Sequence, residues 1–311
     1  MSVAVSVVIS THSPNRTRLQ RTLDGLRAQT LPTSCWQLVL VDNASPGPET
    51  CKAFDLSWHP AGRLVHEPRL GLSYGRVAGA RATSAPLLVL VDDDNVLAPD
   101  YLETVVNLFE QNPQVGALGG RSIPEWEVKP EPWVHEFNGC LALRDQGEAR
   151  IADRKTESGY PSCAPLGAGM AIRRQALEPW ISTIESSDGS VPTGRRGKLL
   201  TSGEDNDIVL TVLAAGWAVG YFPQLSLTHL IPAGRITRQY LARLSHGISR
   251  SWVQVLDRHG ICPWAPVPAW SVGLRKLRAW FRFHAWRDEA SYVRWKAACG
   301  MFEGRALLSR G

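Results

Sequence analysis

Leu87-Leu88-Val89-Leu90-Val91-Asp92-Asp93-Asp94-Asn95 is an unbroken apolar run that stops abruptly at three carboxylates. Five successive aliphatic side chains with no polar alternation suit a strand buried on both faces, the situation in a parallel sheet covered by helices. Three adjacent carboxylates at the end of such a strand repel one another unless a cation or protonation offsets their charge. A divalent metal is the simplest compensation. Hard oxygen ligands favour Mg²⁺ or Mn²⁺, ions that keep coordination positions open for phosphate oxygens. Read by itself, the same loop also suits a helix cap or a solvated turn.

Working outward, the first hundred residues alternate short apolar runs with amphipathic stretches, the pattern of βα units building a mostly parallel sheet. Strands are predicted at Val3–Ile9, Trp36–Val41, Arg63–His66 and Leu87–Val91, and helices at Thr17–Gln29, Ser73–Ala82 and Asp100–Gln111. Leu19, Leu23 and Leu26 share one face of the first helix. The second strand, like the fourth, runs straight into an acidic residue, Asp42. Ligands of open α/β sheets bind beyond the carboxyl ends of the strands, so Asp42 and Asp92–Asp94 are expected to face one crevice.

Four segments in this half resemble those of the family-2, GT-A-type inverting glycosyltransferases. They are Ser10-Thr11-His12-Ser13-Pro14-Asn15-Arg16, Val41-Asp42-Asn43-Ala44-Ser45, Gly71-Leu72-Ser73-Tyr74-Gly75-Arg76 and Leu90-Val91-Asp92-Asp93-Asp94, and they occur in the family's order. Ser13-Pro14 stands as an insertion in the first, and Val77 replaces the Asn that usually follows the Arg of the third. The resemblance implies a GT-A-like α/β fold: a Rossmann-like, mostly parallel sheet flanked by helices, here with a helical C-terminal extension. It also implies a nucleoside-diphosphate sugar as donor. Thr11 and Asp42 are implied to contact the nucleoside, Arg76 to lie near the nucleotide, and Asp92, Asp93 and Asp94 to address ribose and metal. A carboxylate accepts hydrogen bonds from base N–H and ribose hydroxyl groups, while an arginine fork suits phosphate. The plain structural alternatives are that Arg76 is a helix-surface cation and that Thr11 caps a helix.

In the second half, Gly203-Glu204-Asp205-Asn206-Asp207 resembles the family's Glu-Asp motif, which makes Asp205 the general base and Glu204 its runner-up. Both residues also suit a helix N-terminus for its dipole alone. His229, in Leu227-Thr228-His229-Leu230, matches a further metal or diphosphate ligand, with a buried structural histidine as the alternative. Trp126, Trp133 and Trp180 are candidate platforms for an acceptor sugar, or core residues.

Residues 120–166 lose the alternation and are expected as a long loop region, and 186–203, with Arg195, Arg196 and Lys198, as a loop that orders around substrate or as a linker. A helix over Glu204–Ala215 and a strand over Trp217–Phe222 follow, then a linker at Gly260–Val272. The expected organisation is a catalytic domain over 1–235, with a nucleotide-sugar half (1–120) and an acceptor half (121–235), and a helical, basic, Trp-rich extension over 236–311.

The composition, 44% hydrophobic and 20% charged, is that of a folded chain rather than a disordered one. No apolar run reaches the roughly 20 residues needed to cross a bilayer. The N-terminal run reads as a strand rather than a signal peptide. Six cysteines without a C-x-x-C pair predict free thiols in a cytoplasmic protein. Of the +5 net charge, residues 275–310 hold nine Lys or Arg against three acidic residues. Interleaved with aromatics, these suit an anionic membrane surface on the inner face, or helices packed on the catalytic domain with a solvated basic face. No recognised module supports nucleic-acid binding. The reading is therefore a metal-dependent (Mn²⁺ or Mg²⁺) glycosyltransferase acting on a glycan, lipid-linked or small-molecule acceptor. Its rivals are a sugar-phosphate nucleotidyltransferase and a catalytically silent binder or membrane tether.

Overall fold

The computed structural model describes residues 3–47, 51–157, 159–187 and 202–308. Most of the loop expected over 186–203, including Arg195, Arg196 and Lys198, lies outside them. In chain order the strands and α-helices are β1 (Val5–Thr11), α1 (Arg16–Arg27), β2 (Trp36–Asn43), β3 (Gly62–Glu67), α2 (Leu72–Arg81), β4 (Leu87–Val91), β5 (Asn95–Leu97), α3 (Tyr101–Gln111), β6 (Val115–Trp126), β7 (Arg150–Ala152), β8 (Ala171–Arg173), α4 (Arg174–Ser186), α5 (Glu204–Ala214), β9 (Ala218–Ile231), α6 (Arg238–Arg258), α7 (Val272–Arg282) and α8 (Glu289–Ala306). The chain divides into two compact units.

The first unit comprises residues 1–125, 142–193 and 204–230 and holds the sheet. Strand order is β3-β2-β1-β4-β8-β6-β9-β5, with β7 on β9. The β3-β2-β1-β4 half is parallel, while β8 joins β4 and β6 antiparallel and β9 takes β5 and β7 antiparallel. The continuous apolar runs of β1, β2 and β4 are buried throughout because helices cover both faces of this half. α1 presents Leu19, Leu23 and Leu26 to the core, as its spacing predicts, and Asn15 caps it by accepting from Arg18 N at 3.1 Å. α2 lies close against the sheet: a Cβ at Gly79 would come within 2.2 Å of Val8 Cγ1. That approach carries Arg76, on the same helix, into the interior.

Two sequence expectations change. β9 runs through Ile231 rather than ending at Phe222, because Leu225, Leu227 and His229 continue the inward alternation past Pro223. Residues 120–126 are not loop but the outer half of β6.

The second unit comprises residues 126–141, 194–203 and 231–311. Within it α6 packs along α8, and α7 on α8. The α6–α8 contact is close enough that a Cβ at Gly300 would sit 2.1 Å from the His246 carbonyl oxygen. Backbone cannot yield as a flexible side chain does. Gly300→Ala is therefore expected to lower stability by about 1–3 kcal/mol in denaturant unfolding. Gly273→Ala on α7, where nothing lies within 4 Å of the new Cβ, is expected to be neutral or stabilising. Equal effects of the two would show that α8 does not pack this closely.

Candidate functional site

The parallel register places Thr11 opposite Asp42, and Asp42 opposite His66, at the carboxyl edge of the sheet. Ile9 pairs with Val91, so the carboxylates after β4 emerge at that same edge. Thr11 Oγ1 donates to Asp93 Oδ2, tying the end of β1 to the acidic turn. Asp42 is buried; its Oδ1 accepts from Ser45 N at 3.1 Å, and His66 Nδ1 stands 3.8 Å from its Oδ2. Cys51 lies against it, and burial, then the charge of and a hydrogen bond to Asp42, push this thiol up to about 12. Asp93 adds to that push, and Thr11, opposite Asp42 in the register and hydrogen-bonded to Asp93, links the two acidic sites.

The loops after β1 and β2 are laced together. Ser13 N donates to Ser45 Oγ at 2.8 Å, and His12 Nδ1 lies 2.9 Å from the Asn43 carbonyl. Ser13 and Ala44 take left-handed φ of 51° and 54° to make these contacts, a conformation that costs a non-glycine residue roughly 1–2 kcal/mol. The Ser13-Pro14 insertion thus serves as a strap across the site. Asn43 fixes the next segment, donating to Arg69 O at 2.7 Å and accepting from Gly71 N at 2.9 Å.

Arg76 is only 4% exposed and is the pivot of the arrangement. Its Nη2 reaches Asp92 Oδ1 at 3.2 Å and its Nη1 reaches Glu204 Oε1 at 2.7 Å. The Gly167 peptide closes the circle, its carbonyl 3.5 Å from Arg76 Nη2 and its N–H donating to Asp205 Oδ2 at 3.3 Å. Glu204 and Asp205 open α5, and Glu204 is buried whereas Asp205 is partly exposed. One guanidinium faces three carboxylates here. Burial, opposed by Arg76 and assisted by the charges of Asp205 and Asp92, raises Glu204 from 4.5 to about 7.

On the far side of the acidic turn, β5 pairs with β9 so that Asn95 stands opposite His229. His229 Nε2 lies 3.4 Å from Asp94 Oδ1, both side chains being buried. Asn95 braces the turn, its Nδ2 3.3 Å from Asp94 Oδ1 and its Oδ1 accepting from Asp92 N at 3.3 Å. Among the described residues no three His, Cys, Asp or Glu side chains form a ready metal cage. A carboxylate and an imidazole side by side nevertheless match the donor set of an ion that completes its shell with water and substrate phosphate. Asp94 and His229 are the residues that would hold such an ion.

Glycosyl transferase family 2, as a sequence model, matches residues 6–179, which include both acidic strand ends and Arg76. The chain belongs to this family. A glucosyl-dolichyl phosphate glucuronosyltransferase of Haloferax volcanii is 30% identical over 72% of this chain and 68% of its own length. The succinoglycan biosynthesis protein ExoM of Rhizobium meliloti is 22% identical over 85% of this chain and 84% of its own. The chain spans about half the length of the rhizobial N-acetylglucosaminyltransferases it also matches, such as that of Bradyrhizobium diazoefficiens at 22% identity over 85% of this chain and 51% of the relative. A crystal structure of S. aureus TarS 1-349 superposes with TM-score 0.53 at 12% identity, covering 97% of this chain and 90% of that one, a likeness of fold.

In this family-2 glycosyltransferase, Thr11, Asp42, Arg76, Asp92, Asp93, Asp94, Glu204, Asp205 and His229 all fall in the first unit. Arg76 is not a surface cation, and Asn15, not Thr11, is the helix cap. Trp180 is buried in the core with its indole N–H on Asp207 at 3.0 Å, so it offers no face to an acceptor. Sequence reasoning missed Asn43, Asn95 and Gly167. Asn95 had a visible signal in directly following the carboxylates; Gly167 had none.

The raised Glu204 makes a pH prediction. Because Glu204 holds its proton more tightly folded than unfolded, the folded chain binds more protons between pH 4.5 and 7 and loses stability as pH rises through that window. The melting temperature of Glu204→Gln, relative to the unchanged protein, is expected to climb across the same window. A flat or falling difference would mean that Glu204 is ionised throughout.

Proposed function

We propose that the chain transfers a sugar from a nucleoside diphosphate to a hydroxyl acceptor with inversion at the anomeric carbon. The single observation that carries this reading is the convergence of carboxylates at one sheet edge: Asp42 and Asp93 linked through Thr11, Asp92 and Glu204 through Arg76, and Asp94 beside His229. Asp42 and Asp93 present acceptors for base and ribose, with Thr11 holding Asp93 in place. Asp94 and His229 would hold a divalent cation, which when bound would offset the charge of the departing diphosphate.

Asp205 is the general base. It is the more accessible member of the Glu204-Asp205 pair, and two backbone N–H groups orient it, Gly167 N donating to Oδ2 at 3.3 Å and Asn206 N to Oδ1 at 2.9 Å. It takes the acceptor hydroxyl proton as that oxygen bonds the anomeric carbon and the anomeric bond to the diphosphate breaks. Glu204, committed to Arg76, is a positioning residue.

A lipid-linked sugar as acceptor is supported by the relative named for glucosyl-dolichyl phosphate, and a place in polysaccharide assembly by the one named for succinoglycan biosynthesis. The protein works as a cytoplasmic, peripheral enzyme at the inner membrane face.

The test is thermal stability against UDP, GDP, dTDP and CDP, each with and without Mn²⁺. One nucleotide at a hundredfold its Kd is expected to stabilise the chain by about 2.7 kcal/mol in a metal-dependent way. Asp94→Ala removes the metal-dependent part. Asp205→Asn keeps nucleotide binding while transfer falls by about a hundredfold to ten-thousandfold. No shift with any nucleotide contradicts the donor assignment, and near-normal transfer by Asp205→Asn contradicts the base assignment.

A further inference from the structure

The aromatic, basic C-terminal segment separates into two faces. Trp280, Tyr292 and Trp295 point inward between α7 and α8: Trp280 and Trp295 meet edge-on at 4.8 Å, Tyr292 and Trp295 at 5.4 Å, and the Trp295 indole donates to Lys276 O at 3.0 Å. Trp270, Leu274, Leu277 and Phe281 point outward. Leu274, Leu277 and Phe281 are each more than half exposed and Trp270 is 83% exposed. At about 100° per residue these four fall within an arc of roughly 60° on one side of α7 and its lead-in turn. Trp286 extends the same apolar surface, more than half exposed and 5.8 Å from the Phe281 ring.

A folded chain gains by burying such side chains, and a contiguous row of five left in water marks an interaction surface. Its occupant follows from charge. The stretch from Trp270 to Arg287 carries five Lys or Arg and no carboxylate; Lys276 pairs with Glu303 at 2.5 Å and Arg287 with Asp288 at 4.0 Å, which leaves Arg275, Arg278 and Arg282. Arg278 and Arg282 flank the apolar row and are exposed, with no ion pair to either among the described residues. The neighbouring cleft of about 420 Å³ does not carry this excess, since Arg238 and Arg287 are balanced there by Asp288 and Glu289. A second copy would bring the same cations against themselves, because a two-fold contact pairs a patch with its like. No helix of the described residues is long and apolar enough to cross a membrane.

We propose that the outer face of α7, from Trp270 to Trp286, docks in the plane of an anionic lipid surface. Trp270, Leu274, Leu277, Phe281 and Trp286 enter the acyl boundary, and Arg278 and Arg282 meet lipid phosphates. This names the surface behind the membrane location proposed above, and it does not depend on which sugar is transferred.

The test is co-sedimentation of the full chain with phosphatidylcholine vesicles, with and without phosphatidylglycerol, comparing Leu277→Glu/Phe281→Glu and Arg278→Glu/Arg282→Glu with the unchanged protein. None of these residues belongs to the transfer site, so helical circular dichroism and the nucleotide-induced thermal shift report on folding and donor binding separately. The unchanged chain is expected to bind the anionic vesicles in a salt-sensitive manner, and each double variant to bind about tenfold less or weaker. Absence of binding by the unchanged chain, or equal binding by the variants, overturns the proposal. A dimer that Leu277→Glu/Phe281→Glu converts to monomer, without vesicle binding, overturns it in favour of self-association.

Discussion

A buried guanidinium holds this catalytic unit together. Arg76 leaves α2 to sit between Asp92, at the end of β4, and Glu204, at the start of α5, elements more than a hundred residues apart in sequence. A charge at that depth is tolerated only when its partners are close and its donors are used, and removing one partner leaves the others uncompensated. The same pivot sets the protonation of its neighbours. With one positive charge facing three acidic side chains, Glu204, the most deeply buried of the three, keeps its proton to about pH 7, while Asp205 beside it is partly exposed.

Much of this was legible in the residues. Apolar strands that run directly into Asp42 and Asp92 state where a parallel sheet ends, and the register joins those ends as expected. Where the residues left alternatives open, long-range packing decided. Arg76 stands in a ten-residue helix among small residues, and nothing local distinguishes it from a surface cation; only the close approach of α2 to the sheet puts it inside. His229 reads as a lone histidine until β5 and β9 pair and set it beside Asp94, a contact between residues 135 positions apart that no local pattern encodes. Trp180 reads as a sugar platform until α4 and α5 pack and its N–H finds Asp207.

The C-terminal unit shows the same limit in another form. Its aromatic and basic residues alternate so densely that the sequence admits packing and membrane contact equally. The helices sort them by face: Trp280, Tyr292 and Trp295 fill the contact between α7 and α8, and the residues offset from them around α7 remain outside. Periodicity sorts side chains onto faces, but which face meets a neighbouring helix depends on where that helix lies.

The central claim, that Arg76 couples the two carboxylate groups, is tested most directly by a double-mutant cycle of Arg76→Met and Glu204→Gln. It is read as unfolding free energy above pH 7, where Glu204 is ionised. The bridge predicts a coupling of about 1–3 kcal/mol, the double variant being less destabilised than the two single ones together. Additivity within about 0.5 kcal/mol would contradict it and leave the two carboxylate groups as independent sites that share one sheet edge.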